Sequence, residues 1–327
     1  MSVNNFNKQL LIRYTESECK RQLFLDLAQV KPELWYTDTR SIEGIKHRRQ
    51  QIKLLLHLGK IFEQKVYAHL AQFKNVRYNV KENGEVDETY LNPQIFKQFY
   101  EDLVENTDLD DILLLEFQYE TPEYLINEIF PPKNNVKEIP VNFGEQRPDI
   151  IIIGKSFNKK KNKVFELLSD GTIREVPKGE FDTRFGITII DIKNIREDHI
   201  GKKQFIEILF YLWTLSSYLK EHHLDDKFFV RIDFNGIFPQ YSRENLKDLH
   251  TLDDLLDLTI QLHWEQANLV FLDLINKIKK LWKNAPLPIE SIPVNIQASC
   301  GYCYYIEDCK KTLGIDCAPS DWSLQLI

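Results

Sequence analysis

Residues 186–195 read GITIIDIKNI, an apolar run interrupted by one aspartate and one lysine. Alternate residues of a strand point to the same face, so Asp191 and Lys193 share a face while Ile192 points the other way. A strand this apolar is usually buried on both faces. Two charged groups near its end therefore need a physical reason: burying an unpaired charge is costly, and a bound cation would offset that cost. A second buried strand is legible upstream, where Arg147-Pro148-Asp149 opens a run of four isoleucines that Gly154 closes. If the two strands are neighbours, Asp149 supplies a second carboxylate at the same end.

Outward from these two runs, strand and helix patterns alternate. Residues 163–168 (KVFELL) and 172–176 (TIREV) flank an Asp170-Gly171 turn and read as short strands. Residues 228–238 (FFVRIDFNGIF) read as another strand, and 111–120 (DILLLEFQYE) have strand character. Helical periods mark 16–27, which carries Cys19, then 42–73, 93–104, 202–221 and 251–282. Prolines and asparagines over 131–140, and prolines over 285–293, mark connections. The expected fold class is α/β, with a central mixed sheet flanked by helices.

A third acidic ligand is suggested on the helix over 42–73, where Gly59 would let that helix approach its neighbour and place Glu63 one turn later toward the site. His57 and His69 lie close by and rank lower, since lone histidines are more often surface or core residues. On the apolar helix over 202–221, Gln204, Glu207 and Tyr211 form one polar stripe. That stripe would face the site and contact either a phosphate or the lysine. Such a set suits phosphodiester hydrolysis. Mg²⁺ or Mn²⁺ prefers carboxylate oxygens and retains waters, lowers the pKa of a bound water, and a neighbouring lysine orients that water or stabilises developing charge.

The net charge of −7 argues against a surface coated in nucleic acid but leaves room for a local basic groove. Two lysine runs, Lys159, Lys160, Lys161 and Lys163, and Lys277, Lys279, Lys280 and Lys283, read as solvated surface or as a phosphate track. With 43% hydrophobic and 12% aromatic residues the chain can build a sizeable core. No apolar run reaches the roughly 20 residues a bilayer requires, and MSVNNFNKQLL lacks the apolar core of a secretion signal. The expectation is a cytoplasmic protein with no membrane partner. No P-loop is present, so any helicase partner would be a separate chain.

Four of the five cysteines crowd the C-terminal end, Cys300, Cys303, Cys309 and Cys317, while Cys19 stands alone near the start. In a cytosolic chain this pattern favours metal over disulfide. Two readings stay open: a local zinc module of the last four cysteines, with Cys19 a buried thiol, or a cluster that recruits Cys19.

Taken in order, Glu63, Asp149, Asp191 with Lys193, and Glu207 with Tyr211 resemble the PD-(D/E)xK nuclease superfamily. The similarity is to its RecB-type branch, with AddB nuclease domains and the CRISPR-associated iron–sulfur exonucleases. Two departures stand out: Glu63 occupies a place where many relatives carry histidine, and Glu207 one where glutamine is usual, with Gln204 a turn earlier as a possible substitute. The resemblance implies a restriction-endonuclease-like core over 141–285, a helical N-terminal region over 1–140 contributing Cys19 and Glu63, and an iron–sulfur segment over 286–327. Residues 75–140 match nothing in that pattern. It further implies a DNA nuclease, with single-stranded or duplex DNA ends and separate helicase, recombination or CRISPR proteins as partners. Asp149, Asp191 and Glu63 would be Mg²⁺ or Mn²⁺ ligands, with Lys193, Glu207 and Tyr211 catalytic. Cys19, Cys300, Cys303 and Cys309 would hold a [4Fe–4S] cluster, leaving Cys317 a bystander. The alternative is a nuclease-like DNA-binding or scaffold subunit without catalysis.

Overall fold

The computed structural model describes residues 5–6, 8–28, 49–73, 76–79, 90–133, 142–155, 163–181, 183–240, 246–297, 300, 303 and 305–314. In chain order the N-terminal half comprises β1 (Asn5–Phe6), α1 (Lys8–Ser17), α2 (Lys20–Ala28), α3 (Arg49–Leu70), β2 (Val76–Tyr78), α4 (Pro93–Glu105), β3 (Asp111–Leu115), α5 (Glu123–Ile129) and β4 (Asn142–Phe143). Next come β5 (Ile150–Gly154), β6 (Phe165–Leu167), β7 (Ile173–Glu175), α6 (Lys178–Phe181), β8 (Phe185–Ile192) and α7 (Lys202–Glu221). The chain continues through β9 (Phe228–Val230), β10 (Gly236–Phe238), α8 (Leu252–Asp257), β11 (Ile260–Gln261), α9 (Trp264–Asn284) and α10 (Ile306–Leu313).

The chain comprises two compact units. One comprises residues 1–54, 129–143 and 274–327, the other 55–128 and 144–273. Much of the stretch assigned to a helical N-terminal region therefore folds with the sheet.

In the second unit a seven-stranded mixed sheet has the order β11–β10–β8–β5–β3–β2, with β9 also paired to β8. Strand β5 runs antiparallel to both neighbours, Leu115 opposite Ile150 and Ile150 opposite Ile190. The other edge of β8 is shared. Phe228–Val230 pairs parallel with its start and Gly236–Phe238 with its end. The single strand expected over 228–238 is thus split. At the break Phe234 takes a φ of 67°, and the buried Asn235 stands in for the ladder. Its Oδ1 accepts from Ile189 N–H at 2.7 Å and its Nδ2 donates to the carbonyls of Arg231 and Ile232.

The long helix expected over 251–282 is also divided. Thr251 caps α8, its hydroxyl accepting from Asp254 N–H at 3.2 Å, and the chain then leaves the helix to pair Ile260–Gln261 with β10. That edge pairing overrides the local helical period. One face of the sheet, carrying Leu113, Leu115, Ile150, Ile152, Ile190 and Ile192, shares a buried apolar cluster with Phe62, Val66, Tyr67 and Leu70 of α3. Helix α7 spans Lys202–Glu221, matching the stretch read from sequence.

In the first unit the helix expected over 16–27 breaks where Cys19 stands. Glu18 adopts a φ of 49°, and the Ser17 hydroxyl accepts from Cys19 N–H at 3.2 Å, so Cys19 occupies the corner between α1 and α2. The Arg21 guanidinium, 1% exposed, donates to the carbonyls of Ile289 and Ile292 at 2.9 and 2.8 Å. It also reaches Asp308 at 2.8 Å and the Thr312 hydroxyl at 2.9 Å. Asp26 accepts from the Tyr305 hydroxyl at 2.7 Å and pairs with Arg13 at 3.4 Å. Burial pushes the Asp26 carboxyl above its usual range, with Arg13 and Tyr305 pulling it back. These polar ties were not read from the sequence. Among the described residues, no helix is long and apolar enough to cross a membrane.

Candidate metal and catalytic site

The antiparallel register extends by one position beyond the paired strands. Since Ile150 faces Ile190 and Leu115 faces Ile150, the next positions place Glu116, Asp149 and Asp191 in a row across three strand ends. The backbone bears this out: Glu116 N–H donates to Asp149 C=O at 2.9 Å, and the Asp149 carboxylate accepts from Ile192 N–H at 2.6 Å. Residues directly opposite in an antiparallel pair project to the same side, so the Asp149 and Asp191 carboxylates are neighbours, while Glu116 joins the group through the influence of its charge on Glu63 and Tyr67. Asp149 and Asp191, expected to converge, do so.

Asp191 is 0% exposed. The Lys193 ammonium pairs with it and with Glu207 at 3.1 Å, which realises the shared face read from sequence. Of the two contacts foreseen for the α7 stripe, phosphate or lysine, Glu207 makes the second. Tyr211, buried in the same helix, donates its hydroxyl to Arg147 C=O at 2.9 Å. Burial first, then the charges of Glu207, Asp191 and Asp149, push its phenol well above the usual range, so it remains a neutral donor. Tyr211 therefore holds the backbone two residues before Asp149, and Glu207 holds Lys193. One helix positions both halves of the site.

Gln204 does not substitute for Glu207. Its carbonyl oxygen accepts from Gly201 N–H at 2.9 Å, closing the first turn of α7. This use satisfies a helix-terminal donor that would otherwise lack an intrahelical partner.

Glu63 lies half-buried on α3. Its carboxyl is raised by burial first and then by Glu116 and Asp191, while Lys193 and Arg147 lower it. It therefore belongs to the same electrostatic neighbourhood. The reason given from sequence needs correction: among the described residues, a Cβ built on Gly59 would meet only the Glu63 carboxylate, at 4.0 Å. Among the described residues, Gly59 thus creates no close helix approach. His57 is exposed and His69 half-buried in the last turn of α3.

Glu116 and Tyr67 were missed. Glu116 leaves β3 at a φ of 51° and pairs with Arg147. A signal for it did exist, because ILLLE repeats the pattern of an apolar run bounded by a carboxylate. Tyr67 lies one turn beyond Glu63, with its phenol raised by burial first and then by Asp149, Glu116, Glu63 and Asp191.

In the first unit Cys19, Cys300, Cys303 and Cys309 are free thiols, Cys300 and Cys309 buried and the other two half-buried. Burial is the main cause raising the Cys303 thiol, and Cys19 and Cys300 raise it further. Burial likewise pushes Cys309 up to about 12, with Cys303 and Cys19 adding to the rise and Arg21 opposing it. Cys303 is thus within electrostatic influence of Cys19 and Cys300, and Cys309 within that of Cys303 and Cys19. Cys317 and Lys159, Lys160 and Lys161 lie outside the described residues. Lys163 is tied to Glu175 at 2.9 Å, and Lys277 lies 5.6 Å from the centre of the Tyr14 ring.

No family model, characterised protein or solved structure matches this chain.

Among the described residues, no three His, Cys, Asp or Glu side chains form a ready ligand set for one metal ion. Mg²⁺ is commonly held by one or two carboxylates, with water and substrate phosphate completing its shell. The hard-oxygen pair of Asp149 and Asp191 fits that chemistry.

Proposed function

We propose that residues 55–128 and 144–273 form a divalent-metal-dependent nuclease that hydrolyses DNA phosphodiesters. The observation that carries this reading is the seating of Asp149 directly across from Asp191, with the Lys193 ammonium on the same face. In it Asp149 and Asp191 hold Mg²⁺ or Mn²⁺ and Glu63 assists. The ion would lower the pKa of a bound water and neutralise charge growing on the phosphoryl group.

The chain's own residues supply the rest. As an ammonium paired with two carboxylates, Lys193 is a donor and a positive charge. Those properties suit orienting the attacking water and stabilising the developing negative charge better than removing a proton. Glu207 fixes the lysine's direction, and Tyr211 fixes the segment that presents Asp149. The substrate in this reading is single-stranded DNA or duplex ends, with any helicase, recombination or CRISPR protein acting as a separate chain.

We further propose that Cys19, Cys300, Cys303 and Cys309 hold a [4Fe–4S] cluster, as four thiolates do. Support over a local zinc module comes from the influence of Cys19 on Cys303 and Cys309. The cluster would reinforce the Arg21 and Asp26 ties and take no part in hydrolysis.

Labelled single- and double-stranded DNA incubated with the full chain and Mn²⁺ tests the hydrolase. Cleavage is expected, and Asp191→Ala and Lys193→Ala should abolish it. Variants that cut as fast as wild type would remove the site. If the wild type binds DNA without cutting it, the chain is a scaffold. Anaerobic purification tests the cluster, a brown protein supporting iron and a colourless zinc protein refuting it.

A further inference from the structure

Arg147 carries the most exposed charge of this site. Its side chain is 42% exposed, against 26% for Lys193, while Glu63 and Asp149 are half-buried and Asp191 and Glu207 buried. Its backbone is held on three sides. Gln146 and Tyr119 exchange hydrogen bonds at 2.8 and 3.1 Å, Asp149 C=O accepts from Glu116 N–H at 2.9 Å, and the Arg147 carbonyl accepts from the Tyr211 hydroxyl at 2.9 Å. A fixed backbone therefore carries a solvent-reaching guanidinium to the edge of the carboxylate group, where its Nη2 meets Glu116. Ion pairs this exposed contribute little to stability, so holding the fold together is a weak reason for an arginine here.

Charge supplies a better one. Among the described residues, Glu63, Glu116, Asp149, Asp191 and Glu207 set five carboxylates around the site against two cations, Lys193 and Arg147. A single divalent ion does not reverse that excess, so an approaching phosphodiester still meets negative charge. Lys193 is turned inward to Asp191 and Glu207. Of the two cations it is Arg147 that meets a polyanion arriving from solvent.

We propose that Arg147 is a substrate-binding residue of the site, its guanidinium donating to a phosphate of the DNA backbone while one edge keeps Glu116. This inference rests on the nuclease reading. A guanidinium presents five donors in a planar fork, so one edge can hold a carboxylate while another engages phosphate oxygens. Such a contact fixes the position of the strand and carries no sequence information.

The test measures binding of labelled single-stranded DNA to the full chain by fluorescence anisotropy, with Ca²⁺ in place of Mn²⁺ and over a series of salt concentrations. Wild type is compared with Arg147→Met and with Arg147→Met/Glu116→Gln, in which no carboxylate at 116 needs neutralising. Arg147→Met should bind about ten-fold more weakly, and its plot of log affinity against log salt should be shallower by about 0.7, the share of one phosphate contact. In Mn²⁺ the loss should fall on KM more than on kcat. The double variant should stay weak and keep the shallower slope. Recovery of wild-type affinity and slope in the double variant would show that Arg147 serves only to neutralise Glu116, which overturns the inference. Should Arg147→Met fail to fold, the double variant takes its place, and failure of both would show that the guanidinium serves the fold, overturning it too. The two readings are separable. If wild type binds and cuts DNA while Arg147→Met matches its affinity and slope, only the role of Arg147 falls. If wild type binds without cutting and the variants lose affinity and slope, the phosphate contact stands and the hydrolase falls. If wild type binds no DNA, both fall.

Discussion

Replacing Lys193 by methionine keeps the length of the side chain and removes its charge. Asp191 is 0% exposed and Glu207 3%, and the ammonium lies against both. Without it two buried carboxylates confront each other. Removing one partner of a buried ion pair costs about 3–5 kcal/mol. Because the lysine side chain is 26% exposed, water screens part of that cost, and about 3 kcal/mol is a fair expectation. A cooperative unit of 150–250 residues loses about 2–4 °C in Tm per kcal/mol, so the drop should be about 6–12 °C. Circular dichroism melts in EDTA at neutral pH measure it. Adding Asp191→Asn to Lys193→Met should recover much of the loss, since the repelling charge is gone. A single variant melting within a degree of wild type would show that the ammonium does not neutralise these carboxylates.

Two other perturbations probe the framework. In the first unit the folded-state pKa of Asp26 is raised, so its contribution to stability is full below the unfolded value of about 3.9 and is lost as pH climbs through the folded value. Asp26→Asn, neutral throughout and still able to accept from Tyr305, should therefore melt above wild type at pH 7, with the gap closing toward pH 3. A constant gap would contradict the linkage. In the second unit a Cβ on Gly186 would come within 2.0 Å of the buried Arg231 guanidinium, so Gly186→Ala should cost about 1–3 kcal/mol by overpacking. Urea titration should show an earlier midpoint, and an unchanged midpoint would mean that Arg231 yields freely.

The parts of this molecule legible in its sequence are those where a local pattern and a tertiary demand coincide. Asp149 and Asp191 stand out because each bounds an isoleucine-rich run, and a charge at such a place is conspicuous. Lys193 follows from strand alternation, and α7 from an unbroken apolar period. Glu116 was hidden because its strand seemed to continue to residue 120. Only the pairing of β3 with β5 shows that the continuous ladder ends at Leu115 and that the chain is deflected at Glu116 before Tyr119 pairs again with Gln146. Tyr67 was hidden for the opposite reason, since a tyrosine in a helix's apolar stripe looks like core. The breaks at 231–235 and after Asp257 depend on partners distant in sequence or on strand pairing. Asn235 replaces ladder bonds of β8, and β11 follows the edge of β10. Arg21 carries no local mark of burial at all, because its four acceptors lie more than 260 positions away.

Those acceptors also impose an order on biogenesis. Arg21 and Asp308 are separated by 287 positions, and a ribosome adding about 5–20 residues per second needs roughly 15–60 s to span them. During that interval the helices around Arg21 have emerged while the carbonyls and carboxylate that will receive its guanidinium have not been synthesised. A nascent chain stalled before residue 289 should consequently leave this arginine open to proteases that the finished protein resists.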